Sequence, residues 1–409
     1  MKRSNVCSED GLLGTFLRSA WNYLYGGLSA FEQVFHWLIY ELIRYPQASD
    51  GAIERILLAK FDSIGDFMMF TPILRELRSR IPQAHIVLFV RTAVINLAET
   101  CPYVDEVWHI DERTFRWNIF EKIRWAIKLS AAQFTIAINC RYSVNFTNLD
   151  CLVGWSKAPR RIAFECIDKF RKRTTTKPYL TELIPSDSQW KFEIDRNFDI
   201  LKHLGFAPPT NRATEMWVRE GDRKTLDRKA GNREAKYAII APASQVKLKI
   251  WDQKNFVSVI ETLSGKFSFH WYICGSRGEW DLCNQLDAAL KNRAIGSTNL
   301  AGMLTLREFG FLAEGAAFYF GNDTGPMHIA AAMGIYTIAI LGGGHYGRFY
   351  PYPDNPKTIA VTNKLPCYNC DWRCILEEPE CITRISVENA TESIVNILTQ
   401  HNELGAGAL

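Results

Sequence analysis

From Arg55 onward the chain alternates short apolar runs with amphipathic stretches. Arg55-Ile56-Leu57-Leu58-Ala59-Lys60-Phe61 reads as a buried strand, and Phe67 to Arg80 as a helix turning Phe70, Ile73, Leu74 and Leu77 inward. Further strands are expected at His85–Val90, Glu106–Ile110 and Phe134–Ile138. A second series begins near Lys236, with strands expected at Tyr237–Ala241, Phe269–Ile273, Ala317–Phe320 and Tyr336–Ile340. Fully apolar strands that alternate with helices imply parallel sheets covered on both faces. Between the two series, Gly205 to Asp227 is rich in Pro, Thr, Asn and charge around Pro208-Pro209, as a linker or hinge would be. The fold class expected is α/β, with two Rossmann-like domains facing a cleft between their strand C-terminal ends. The boundaries read are 1–50 for a helical extension, 51–207 for the first domain, 208–235 for the linker region and 236–409 for the second domain.

Residues 1–50 carry a different pattern. In Leu28 to Tyr45, the residues Phe31, Val34, Phe35, Leu38, Ile39 and Leu42 recur at helical spacing, and Trp21, Tyr23, Tyr25, Trp37 and Tyr40 widen the apolar surface. Such a helix covers its own domain, meets another subunit or lies on a membrane interface. Arg18 interrupts the first apolar stretch, so a secretory signal is not expected. Pro326 to Gly344 lacks full charges, but a helix followed by a buried strand fits it better than a membrane span.

Candidate chemistry sits where strands give way to helices. In Gly321-Asn322-Asp323-Thr324-Gly325-Pro326-Met327-His328, Thr324 is placed to cap a short helix, Pro326 suits its first turn and Gly334 is placed to end it. A helix start attracts phosphate, Gly325 leaves room for a diphosphate, and Thr324 and His328 add donors. After the first strand comes Phe61-Asp62-Ser63-Ile64-Gly65-Asp66, which lacks the GxGxxG dinucleotide fingerprint. Gly65 permits a tight turn or close approach of substrate. Asp66 stands at a helix start, which favours its ionised form, and a carboxylate there can take a proton from an attacking hydroxyl or simply cap the helix.

Composition narrows these readings. A hydrophobic content of 47% and a charged content of 22% are those of a soluble globular protein, and a net charge of +4 does not point to nucleic acid. The basic residues Lys157, Arg160, Arg161, Lys169, Arg171, Lys172, Arg173 and Lys177 cluster instead in the first domain, where they would attract an acidic acceptor or merely keep a loop solvated. Eleven cysteines, an odd number, argue against a disulfide framework and for the cytoplasm. Cys367, Cys370, Cys374 and Cys381 have the spacing of a structural zinc or iron site, with four free thiols as the other reading.

Taken as a pair, Ile56 to Pro72 and Gly321 to Gly334 resemble glycosyltransferase family nine, the ADP-heptose heptosyltransferases of lipopolysaccharide synthesis. The family pattern of an apolar strand, (R/K)xDxIGD and TP is matched by Lys60, Asp62, Ile64, Gly65, Asp66, Thr71 and Pro72. Its (N/S)DTGPMH-AAA-G is matched by Asn322 to Ala332 and Gly334. The resemblance implies a GT-B fold and an inverting transfer of a sugar, heptose from ADP-heptose, to a hydroxyl of a glycan or glycolipid acceptor such as lipopolysaccharide core. By the same resemblance Asp66 is the base and Gly65 meets acceptor, while Ser244, Lys249, Asp323, Thr324, Gly325, Pro326, Met327 and His328 hold the donor. In the loop that carries Ser244, Lys247 competes with Lys249 for the lysine role. No catalytic metal is expected. An inner-membrane contact or self-association through residues 1–50 would suit such an acceptor. Gly342-Gly343-Gly344-His345 departs from the usual Gly-Pro-(S/T) and puts the donor's identity in doubt. An epimerase or hydrolase on the same fold, and a non-catalytic metal-bearing scaffold, stay open.

Overall fold

The computed structural model describes residues 34–43, 53–143, 150–166, 179–231 and 236–404. Most of the expected N-terminal extension and the basic residues Lys169 to Lys177 lie outside the described residues. Two six-stranded sheets form the frame. The first contains β1 (Arg55–Lys60), β2 (His85–Arg91), β3 (Glu106–Ile110), β4 (Ile136–Asn139), β5 (Arg160–Phe164) and β6 (Glu182–Ile184) in the order β3-β2-β1-β4-β5-β6. The second contains β7 (Tyr237–Ala241), β8 (His270–Ile273), β9 (Ser297–Asn299), β10 (Phe318–Asn322), β11 (Tyr336–Ile340) and β12 (Thr358–Val361) in the order β12-β11-β10-β7-β8-β9. Counted from its own first strand, each sheet has the doubly wound 3-2-1-4-5-6 order, so the expected pair of Rossmann-like folds is present. The order reverses beside β1 and beside β7, and ligands bind outside strand ends at such switch points.

Every residue of β7 and β10 is buried, which explains their unbroken apolar sequence. β7 pairs in parallel with β8 on one side and β10 on the other, with Tyr319 opposite Ile239 and Gly321 opposite Ala241. Helices Gln253–Ser264, Trp280–Lys291 and Val387–Leu404 supply the cover, and their apolar residues join the strands in one core around Trp251, Phe256, Trp271 and Phe320.

One expected helix is in fact two. Ile64–Met68 ends at Met69, and Thr71–Arg80 begins afresh. Pro72 has no N–H for a continuous helix and sits in the first turn of the second one, while Thr71 Oγ1 donates to Met68 O at 2.8 Å. The stretch read as a linker contains a helix, Glu220–Ala230, whose start is fixed by Arg219 N–H donating to Asp222 Oδ2 at 3.1 Å.

The chain divides into two compact units at Leu57/Leu58, Glu112/Arg113 and Leu183/Ile184. In the unit that includes residues 113–183, a helix over residues 34–42 buries His36 and Ile39, and Trp155 Nε1 donates to His36 O at 3.2 Å. Its other face leaves Val34, Trp37, Leu38 and Leu42 exposed. The described part of the basic cluster is structurally engaged. Arg160 forks onto Glu182 at 2.8 Å, Arg161 donates to Tyr179 O and Ala158 O, and the Lys157 ammonium lies 3.2 Å from the centre of the Tyr40 ring.

Candidate active site

The unit that includes residues 58–112 and 184–404 holds a cavity of about 650 Å³, a size suited to a small-molecule ligand. Its walls come from the C-terminal ends of four strands: Ser63–Asp66 after β1, Ala243–Val246 and Lys249 after β7, Cys274–Arg277 and Glu279 after β8, and Asp323–Pro326 and His328 after β10. Of the residues named from sequence, Gly65, Asp66, Ser244, Lys249, Asp323, Thr324, Gly325, Pro326 and His328 all line it. Met327 is fully buried and is not among the lining residues.

Two helix starts interlock at the floor of this cavity. A Cβ on Gly65 would stand 2.6 Å from Cδ2 of His328, and a Cβ on Gly325 would stand 2.8 Å from Cβ of Ile64. Each glycine is therefore the socket for a side chain of the opposite helix. On the side where a Cβ would project, the space is taken by His328 and Ile64, while both glycines also line the cavity.

Asp66 accepts a hydrogen bond from Ser63 Oγ. Its helix start was expected to favour the ionised form, and the surroundings work against that. Burial and then the Asp62 and Glu193 carboxylates raise its pKa above the ordinary carboxylate value, with Lys60 and Ser63 opposing only in part. Lys60 is buried, its ammonium 2.7 Å from Asp62 Oδ2. Glu193 in turn meets Arg196 and Arg348 at 3.3 and 3.2 Å. A carboxylate with raised affinity for a proton is a stronger base than a surface aspartate.

On the opposite wall Asn322 Nδ2 donates to Pro242 O at 2.6 Å, and its Oδ1 accepts from Trp251 N–H at 3.2 Å. These bonds pin the loop that carries Ser244 and Lys249. Lys249 Nζ then meets Asp323 Oδ2 at 2.7 Å, whereas Lys247 is exposed and lies off the cavity. Of these two lysines, Lys249 is the one that lines the cavity. Burial alone would raise the Asp323 pKa, but Lys249 outweighs it and holds the carboxyl below its usual range.

Thr324 occupies the N-cap position of helix Gly325–Ala332, yet its side chain caps nothing; Oγ1 donates to Asn322 O at a long 3.4 Å. The first N–H groups of that helix are thus left without a side-chain acceptor from Thr324. Gly334, at φ +76°, ends the helix as its position in the sequence implied. His328 is 4% exposed, and burial lowers its pKa to about 4, so the ring is neutral at pH 7. Nδ1 lies 2.9 Å from Tyr352 OH; with that hydroxyl donating, the ring proton belongs to Nε2.

Residues 128–377, more than half of the chain, match the family described as glycosyltransferase family 9 (heptosyltransferase). The chain belongs to that family. It is a glycosyltransferase, and relatives agree with the assignment. Lipopolysaccharide heptosyltransferase 3 of Escherichia coli K12 is 24% identical over 303 residues, which cover 71% of this chain and 83% of the relative. A glycosyl transferase family 9 structure from Veillonella parvula superposes with a TM-score of 0.72 at 19% identity, covering 87% of this chain and all of that one. The Escherichia coli ADP-heptose lipopolysaccharide heptosyltransferase II structure gives 0.65 at 18% identity, covering 85% of this chain and 99% of that one. Both structural likenesses support the GT-B fold of this glycosyltransferase.

Sequence reasoning missed several residues that line or support this cavity. The turn Gly275–Glu279 after β8 lines the cavity, with Ser276 N–H donating to Glu279 Oε2 at 2.6 Å. A Gly-Ser turn straight after an expected strand was a usable signal for it. Tyr352, which bonds His328, gave no such signal, and Asp62, although part of the matched pattern, was not assigned its effect on Asp66. The four spaced cysteines, Cys367, Cys370, Cys374 and Cys381, form no disulfide, and among the described residues no group of three or more Cys, His, Asp or Glu stands together as a metal site. Burial, and the proximity of the other three thiols, raise the pKa of Cys381.

Proposed function

We propose that this glycosyltransferase moves a heptose from ADP-heptose to a hydroxyl of a lipopolysaccharide core or a similar glycan acceptor, with inversion at the anomeric carbon. The observation that carries the reading is that Asp66 and the open start of helix Gly325–Ala332 face one cavity. Asp66 takes the proton of the acceptor hydroxyl, whose oxygen attacks the anomeric carbon from the face opposite the diphosphate. Charge then grows on the departing diphosphate. The helix N–H groups, the Thr324 hydroxyl, His328 Nε2–H and the Lys249 ammonium are the groups that offset it. Asp323 acts by holding Lys249, because an ionised carboxylate repels a diphosphate. His328 serves as a neutral donor in this scheme.

The test is a reaction with ADP-heptose and a delipidated core acceptor, read by mass spectrometry and by NMR of the new anomeric centre. Asp66→Asn is expected to bind ADP normally and to lose about 100- to 10,000-fold in kcat. Transfer by Asp66→Asn at near-normal rate would sink the base assignment. Heptose released or epimerised without acceptor would favour the hydrolase or epimerase reading.

The four cysteines are assigned to a structural zinc or iron on the strength of their spacing. The thiol set suits a soft or borderline cation, which would pin the loop that carries it; among the described residues the side chains are not drawn into ligand geometry. The protein is placed in the cytoplasm, touching the inner membrane face or another copy through residues 1–50. The exposed Val34, Trp37, Leu38 and Leu42 support that contact, and no helix among the described residues is long and apolar enough to cross a membrane.

A further inference from the structure

The loop bearing the cysteines reaches the cavity by a route that metal binding does not require. Three of its non-glycine residues, Asn369, Asp371 and Trp372, have φ of +66°, +54° and +56°. Such backbone is unfavourable for a side chain as bulky as tryptophan and persists only where the surroundings impose it. Here the surroundings are Gly342-Gly343-Gly344, the segment that departs from the family pattern. A Cβ on Gly343 would stand 2.2 Å from the Tyr368 ring, and one on Gly344 would stand 2.3 Å from the Trp372 ring. The two backbones are also joined, Asn369 N–H to Gly343 O at 2.6 Å and Asp371 N–H to Gly344 O at 3.1 Å. The glycines thus form a bed for two aromatic rings.

What this turn touches is two of the nitrogen-bearing side chains in the cavity, Lys249 and His345. Lys249 Nζ lies 5.0 Å from the centre of the Trp372 ring, within cation–π range, on top of its ion pair with Asp323. His345, another lining residue, has Nε2 2.7 Å from Asp371 Oδ1 and stands edge-on to Trp372 at 6.2 Å. Two neighbouring residues of one strained turn therefore each hold one nitrogen-bearing side chain of the cavity.

We infer that Trp372 and Asp371 are positioning residues of the donor site: Trp372 aims the Lys249 ammonium, Asp371 aims the His345 ring, and the ligand served is a nucleoside diphosphate. This rests on the donor reading given above. The aromatic face supplies a second, undemanding partner for Lys249, so the ammonium can leave Asp323 for a phosphate oxygen without a large displacement.

The experiment measures ADP affinity by calorimetry, and KM and kcat for the sugar donor, in Trp372→Phe and Trp372→Leu, alone and with Lys249→Met. Phenylalanine keeps a ring face; leucine fills space without one. Trp372→Leu is expected to weaken ADP about five- to tenfold and to raise KM more than it lowers kcat, while Trp372→Phe stays within about twofold. In the Lys249→Met background Trp372→Leu should add nothing. A folded Trp372→Leu that binds ADP like the wild type, or that keeps its full effect without Lys249, overturns the inference. Should wild-type protein bind no ADP while remaining folded, the donor reading itself falls, and this proposal with it. If Trp372→Leu fails to fold, Asp371→Asn decides: it should shift the His345 ring signals in NMR and weaken ADP about threefold. Unmoved His345 signals in folded Asp371→Asn overturn the assignment.

Discussion

Replacing Gly65 with alanine tests the interlock at the cavity floor. The new Cβ would stand 2.6 Å from Cδ2 and 2.9 Å from Nε2 of His328, whereas carbon contacts settle at about 3.5–4.0 Å. Roughly 1 Å must be recovered. His328 has little freedom to give it, being 4% exposed and bonded through Nδ1 to Tyr352 OH at 2.9 Å. Tyr352 is itself held, its N–H donating to Thr358 Oγ1 at 3.0 Å. Overpacking of this kind costs about 1–3 kcal/mol. If the shift is taken up by the two helices, the base moves relative to the leaving group, and a misplacement of about 1 Å costs about 100-fold in rate. Thermal unfolding and steady-state kinetics of Gly65→Ala, His328→Ala and the double variant measure both consequences. With the imidazole gone, the alanine should cost less than about 0.5 kcal/mol, so the two changes should be strongly non-additive in stability. A Gly65→Ala protein with wild-type melting and kcat/KM within about twofold, or strictly additive stabilities, would show that the contact does not constrain the site.

Asp66→Asn should gain stability at neutral pH while losing turnover. The raised pKa means that the fold disfavours the charged carboxylate above its ordinary titration, and wild type recovers that stability as pH falls through the folded pKa; melting curves against pH for both proteins check this. His328 works in the opposite sense. Its folded pKa of about 4 lies below the usual 6.5, so its contribution is complete above pH 6.5 and is lost as pH falls toward 4, by about 3 kcal/mol in all. The stability difference between wild type and His328→Gln should shrink over that window, and a constant difference would mean that the ring is not buried neutral. Purified protein is expected to hold about one zinc or iron per chain by elemental analysis, and Cys381→Ser should lower it well below one. Metal-free protein with all four thiols open to alkylation would refute the site.

Much of the frame was legible because buried parallel strands write themselves as apolar runs. β3, β7 and β11 stand at the boundaries their sequences imply. β6 and β9 were not read, since Glu182–Ile184 and Ser297–Asn299 are three residues long and partly polar, too short for any period. β5 opens on two arginines that bond across to Glu182 and Tyr179, a partnership set by distant chain. In the site, Asp66 and the Asp323–His328 turn were visible as strand-to-helix junctions. The raised pKa of Asp66 was not, because it comes first from burial and then from the Asp62 and Glu193 carboxylates, and Glu193 stands on a helix remote in sequence. Nor was the reason for Gly342–Gly344, which lies in the rings of Tyr368 and Trp372 and only becomes apparent once those rings have a position.

The paired glycine sockets have a consequence for substrate choice. With His328 seated over Gly65 and Ile64 over Gly325, the span from Asp66 to the Gly325 helix acts as a fixed gauge. A sugar ring of the right depth presents its anomeric carbon to both ends at once; a shallower ring leaves one end out of reach. Discrimination among donors would then follow from the thickness of the ring, measured against a calliper whose jaws are keyed together.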